Sequence, residues 1–247
     1  MKLINKYNIY FKLFIIILII VLLLYFLYKM NFLEYYENNI NEIDNLIFHD
    51  ENNNIIDHKN IEKDEQDIAK LYIEPDNVVL ELGARYGTVS CVINKLLNNK
   101  KNQVVVEPDQ TVWNALETNK TKNNCDFHII KGFVSNKKFS LNGSGYGNSA
   151  IETNNTQIKS FKLDEIETQF NLKFDTLVVD CEGCLEIFFD EHPHMYSQLK
   201  NITFEEDYGH KCDYDKIKKK LEEHGFIKVY EKFDEVLRSM WKKNKIQ

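Results

Sequence analysis

The chain has 247 residues, 43% of them hydrophobic and 13% aromatic, which is enough for one medium-sized domain with a real core and some further material. A formal net charge of −7 argues against nucleic acid as the main partner, because phosphate binding needs a basic footprint. Five cysteines, an odd and low number, do not make a disulfide scaffold.

In chain order, residues 1–10 form a short tail carrying Lys2 and Lys6. From Leu13 to Tyr28 every residue is apolar or aromatic, and Phe11 with a snorkelling Lys12 extends the run to 11–28. That length is near the lower limit for spanning the hydrocarbon region, and the run lacks the polar stripe of an ordinary surface helix. No small-x-small cleavage site follows in Lys29–Glu34, so the run reads as an uncleaved single-pass anchor rather than a signal peptide. Lys2, Lys6 and Lys12 precede it, whereas Lys29 alone follows before Glu34 and Glu37. The positive-inside rule then puts the N-terminus in the cytosol and the rest in a lumenal or extracytoplasmic space. Residues 29–63, rich in Asn and acids, read as a stem, and 64–247 as the domain.

Strands are expected near 78–82, 103–107, 127–131, 174–180, 201–206 and 226–231, with helices between most of them. This alternation predicts a Rossmann-like, doubly wound α/β fold with a mostly parallel sheet. Phe226–Tyr230 and Val236–Trp241 are expected to close it as an antiparallel hairpin. Asn142–Gly147 reads as a glycine- and serine-rich loop, either an entrance over the strand ends or a plain connection. Asp213–His224 reads as an amphipathic helix ended by Gly225.

Three segments carry the chemistry: Val78–Ser90, Val104–Asp109 and Thr176–Gly183. Each is a short, β-branched apolar run ending in a carboxylate, as in strands buried on both faces. Ligands of such sheets sit outside the carboxyl ends of the strands, so Glu81, Glu107 and Asp180 should converge on one crevice. Glu81-x-Gly83-x-x-x-Gly87 lacks the G-x-G-x-x-G spacing that nests a pyrophosphate on a helix N-terminus. A carboxylate before the first glycine repels pyrophosphate and suits an ammonium or sulfonium ligand. Glu107 ends the next strand about 20 residues after Gly87, where such folds hold a ribose. The plainer alternative is a set of buried strands whose terminal acids cap the following helices.

These motifs resemble the first two of class I S-adenosylmethionine-dependent methyltransferases. More narrowly, Leu177–Gly183 resembles the D-x-E-G signature of the FkbM family, following a stretch, Ile158–Ile166, similar to that family's "LDE" segment. Asn201–Glu206 is similar to its next strand, and the likeness runs over residues 64–242. The resemblance implies S-adenosylmethionine as cofactor, with Glu81, Gly83 and Gly87 lining its methionine part, Glu107 on the ribose and Asp180 facing the methyl group. It also implies O-methylation of a small-molecule or glycan hydroxyl; the residues alone support methyl transfer. Asp180 and Glu182, two apart on a turn, are the catalytic candidates, one serving the cofactor and the other the acceptor. One departure is Cys184-Leu185 before Glu186, where many members have a small residue and a glutamate.

No metal is expected. Cys181-x-x-Cys184 leaves open an oxidoreductase, a zinc site with His210 and Cys212, or a structural disulfide if the domain is lumenal. An inactive, membrane-tethered binding module of the same fold is a further alternative. His192-Pro193-His194 reads as a surface loop. Sequons at Asn119, Asn142, Asn154 and Asn201 matter only on the lumenal side.

Overall fold

Runs such as Val79–Leu82 are buried along their whole length, Glu81 included, so they pair where helices cover both sides of the sheet. The computed structural model describes residues 14–27, 29–30 and 40–244, and in it such runs make the centre of a seven-stranded sheet. Its strands are β1 (Val79–Leu82), β2 (Gln103–Glu107), β3 (His128–Lys131), β6 (Thr176–Val179), β7 (Asn201–Glu206), β8 (Phe226–Asp234) and β9 (Val236–Lys243). A separate hairpin supplies β4 (Phe139–Asn142) and β5 (Ser149–Glu152). The sheet order is β8-β9-β7-β6-β1-β2-β3. The strands from β7 to β3 are parallel, and β9 and β8 close the sheet antiparallel. The expected Rossmann-like architecture and its closing hairpin are therefore present, with a bulge between Lys228 and Tyr230 in β8.

The helices are α1 (Lys63–Tyr72), α2 (Thr88–Leu96), α3 (Trp113–Lys122), α4 (Leu163–Phe170), α5 (Leu185–Glu191) and α6 (Tyr214–Glu223). Leu80, Val104, Leu177, Ile202 and Trp241 from the sheet pack with Leu163, Phe188, Ile217 and Leu221 from the helices. Asp213 caps α6 by accepting from the Lys216 amide at 2.9 Å, and Gly225 follows it with φ +82°. Strand order reverses between β1 and β6, which places the ligand crevice at their carboxyl ends.

The unit containing this sheet begins at Leu46. Residues 46–62, read from composition as the end of a stem, thus belong to it. Phe48–His49 pairs with Ile55–Ile56, and the amides of Ile47 and His49 each donate at 2.9 Å, to the side chains of Asn123 and Asn119. Asparagines that look like linker composition here complete backbone hydrogen bonding.

Residues 14–27, in a separate unit, are helical and exposed. Among the described residues no helix is long and apolar enough to cross a membrane. Residues 1–13, 28 and 31–39, which hold the tail, the flanks of the expected 11–28 anchor and part of the stem, lie outside the described residues. His192, expected at the surface, is buried at 6% exposure, stacked edge-on against Phe188.

Candidate functional site

The turn after β1 is held from the neighbouring strand. Both oxygens of Glu107 accept backbone amides: Oε2 from Ala84 at 3.2 Å and Arg85 at 2.6 Å, Oε1 from Asp109 at 2.7 Å. An ionised carboxylate has about four acceptor positions, so Glu107 fixes the turn and retains capacity for one more donor. Burial raises its pKa despite the three amides.

Gly83 is required for a different reason from the expected close approach of a ligand. Its φ is +86°, and a side-chain carbon there would lie 1.7 Å from the Asp180 carbonyl oxygen. The β1 and β6 ends pass each other at this one residue. Gly87, with φ +78°, opens α2.

Glu81 is also placed differently from the sequence expectation. It is buried on the crevice floor, where its carboxylate accepts from the Ser90 hydroxyl at 2.8 Å and the Gln103 amide at 3.0 Å. Its carboxyl is engaged by these partners, and burial pushes its pKa up to about 8. Glu62, just before α1, also lines the crevice; the Thr88 hydroxyl donates to it, and burial and then Asp180 push it up to about 8.

Asp180 follows β6 and faces the crevice with Glu182. With Asp207, after β7, they offer one oxygen each within 4.8 Å, the only such group of three His, Cys, Asp or Glu side chains found among the described residues. Protons reconcile their charges. Burial, then Glu65 and Asp207, push Asp180 up to about 7; burial, then a hydrogen bond with Asp207, push Glu182 up to about 9. Glu205 at the end of β7 is raised to about 9 by burial and then by Asp180. The cation set against this group is Arg238 of β9, which donates to Glu65 and, at 3.2 Å, to Glu205. Glu186 points elsewhere, pairing with Lys216 at 2.8 Å and accepting the Asp213 amide at 2.9 Å.

The Asn142–Gly147 loop is the tip of the β4–β5 hairpin and covers the crevice. Asn148 donates to Asp109 at 2.7 Å, the Tyr208 hydroxyl to the Gly147 carbonyl at 3.4 Å, and Lys211 to Ser149 at 2.6 Å. Cys181 and Cys184 are joined in a disulfide at the crevice wall. Cys212 is buried as a free thiol, and His210 is exposed in the loop before α6.

The structure brings Glu81, Gly83, Glu107, Asp180 and Glu182 to the crevice, whereas Gly87, expected to line it, is not among the lining residues and faces Leu116 of α3. Sequence reasoning missed Glu62, Glu65, Glu205, Asp207 and Arg238. Only Glu205 carried a signal, as an acid ending an apolar strand.

No protein-family model matches the chain, and no curated protein matches it. Solved structures overlapping it include precorrin-6y C5,15-methyltransferase from Geobacter metallireducens GS-15, with 16% identity, 72% of this chain and 87% of that chain covered, and a TM-score of 0.46. Ribosomal protein L11 methylase from Lactobacillus delbrueckii subsp. bulgaricus gives 16%, 74%, 78% and 0.47 on the same measures. An rRNA methylase from Streptococcus thermophilus gives 8%, 72%, 93% and 0.47. At these values the three are partial likenesses of fold.

Proposed function

We propose that the chain is an S-adenosylmethionine-dependent methyltransferase, of the FkbM type that its D-x-E-G turn resembles, acting on a hydroxyl of a small molecule or glycan. The observation that carries this reading is the convergence of strand-end carboxylates with the Gly83 turn at the point where strand order reverses. A pyrophosphate ligand would oppose ionisation of Glu62, Glu81, Glu107 and Asp180 there, whereas a sulfonium with an ammonium group favours their ionised forms. Glu107 would hold the ribose with its remaining acceptor position, and the turn at Ala84 and Arg85 would flank the methionine part. The cofactor supplies an electrophilic methyl group for in-line displacement. The chain's part is to align the acceptor, where orientation contributes several kcal/mol, and to take its proton. Asp180, raised to about 7, is poised near neutrality for that task, and Glu182 faces the acceptor side.

Two of the overlapping structures are named as ribosomal protein or rRNA methylases. Here the acid-lined crevice and the net charge of −7 favour an acceptor without phosphates. Calorimetry with S-adenosylmethionine, followed by mass spectrometry of glycan and lipid extracts incubated with labelled cofactor, tests the reading. Absence of cofactor binding overturns it. Binding without transfer to any extract would favour the inactive tethered module.

We also propose that residues 11–28 anchor the protein in a membrane, N-terminus cytosolic and domain lumenal. The unbroken apolar run, the lysine asymmetry and the Cys181–Cys184 disulfide support this. Of the sequons, Asn119 and Asn201 are buried, leaving Asn142 and Asn154 exposed. Protease added to sealed microsomes should spare the domain; digestion there reverses the orientation, and a freely soluble full-length protein removes the anchor.

A further inference from the structure

The disulfide closes a ring that holds only Glu182 and Gly183 between its cysteines, whose Cα atoms are 5.5 Å apart. Both enclosed residues are left-handed, with φ +56° at Glu182 and +88° at Gly183. Glycine adopts that conformation freely, whereas glutamate disfavours it. On the outer side, a side-chain carbon on Gly183 would lie 3.2 Å from Tyr208 Cβ and 3.1 Å from Lys211 Cβ, so the ring is seated against the loop before α6. On the inner side the ring turns the Glu182 carboxylate toward Asp180 and Asp207, within 4.8 Å of both. A loop this short removes little freedom from the unfolded chain, so global stabilisation is the smaller part of what the bond does. Its local effect is to fix where one carboxylate points.

We propose that the Cys181–Cys184 disulfide is a positioning device that clamps Glu182 at the acceptor end of the crevice, and that its reduction by a dithiol releases the carboxylate and disables that end. The word acceptor rests on the methyltransferase reading; the clamp itself does not. In the reductive step, one thiolate of the dithiol attacks a ring sulfur, and the second closes on the resulting mixed disulfide. The S–S bond of the protein breaks, a disulfide forms in the reductant, and two electrons pass to Cys181 and Cys184. These leave as thiolates and take up two protons.

The experiment uses the full-length chain in detergent with ¹³C-labelled glutamate, the Glu182 carboxyl being assigned by comparison with Glu182→Gln. Its titration is followed by NMR in the oxidised protein, after dithiothreitol, and in Cys181→Ser/Cys184→Ser. S-adenosylmethionine affinity and circular dichroism are measured on each form. Opening the ring should move the Glu182 titration down by about one pH unit or more, toward an ordinary carboxyl, as the group leaves Asp207 for solvent. Cofactor affinity and fold should be unchanged. An identical titration before and after reduction overturns the clamp, and this comparison stands alone if the serine variant misfolds. Thiol counting that finds both cysteines free in air-purified protein overturns it as well. Failure of every form to bind cofactor would instead overturn the methyltransferase reading and leave the titration result intact.

Discussion

Glu107 makes three backbone hydrogen bonds before any ligand is considered, so its removal acts twice. Glu107→Ala should weaken cofactor binding by on the order of 2–4 kcal/mol and also lower the melting temperature. Calorimetry showing wild-type affinity would remove Glu107 from the ribose. Asp180→Asn and Glu182→Gln keep shape while removing charge and basicity. Each should reduce turnover roughly 10²–10⁴-fold if its carboxylate orients or deprotonates the acceptor; loss of cofactor affinity alone would assign that residue to binding. Glu107 and Asp180 were legible because each ends an apolar strand and strand ends share one side of a parallel sheet, and Glu182 because it follows Asp180 in the D-x-E-G turn. Glu62, Glu65 and Arg238 were not. They reach the crevice from before α1, from α1 and from β9, and nothing in a local pattern encodes which distant elements will meet.

At the level of elements, the β1 and β6 ends cross at Gly83, where a methyl group would lie 1.7 Å from the Asp180 carbonyl oxygen. Gly83→Ala must push the two ends apart, so it should destabilise the fold by about 3 kcal/mol or more and abolish cofactor binding. Denaturant unfolding gives the first quantity and calorimetry the second; a stable variant with normal affinity would mean that the turn is not at the cofactor. The central strands were legible to within a few residues, since fully buried β-branched runs have few alternatives. The β4–β5 hairpin was not, because Phe139–Asn142 and Ser149–Glu152 are short and the glycines between them dominate the composition. Its position depends on contacts such as Asn148 with Asp109, which no turn rule contains.

For the molecule as a whole, the crevice carboxyls dictate a pH dependence. Asp180, Glu182 and Glu205 are raised to about 7, 9 and 9, whereas the unfolded chain titrates them near 4. A raised folded pKa stabilises the protonated form. The contribution is therefore complete below about pH 4, declines as pH rises from there, and is lost once pH has passed the folded values of about 7 to 9. Melting temperature should fall across that window, and less so in Asp180→Asn; a flat profile in the wild type would contradict the crowding of these groups. A cationic ligand favours the ionised forms, so cofactor binding at neutral pH should release protons. Calorimetry in buffers of different ionisation enthalpy would detect them.

Arg238 ties Glu65 of α1 to Glu205 of β7, yet it lies on β9, the last strand of this sheet in chain order. A nascent chain that has extruded everything up to β7 already holds most of the crevice acids but not this guanidinium. It also leaves one edge of β7 unpaired, since β9 is the partner that covers it. The site is therefore assembled from both ends of the domain and gains its guanidinium only once β9 has been made. A premature stop after Asp234 would leave a chain with all six strand-end and turn residues read from the sequence and no working crevice.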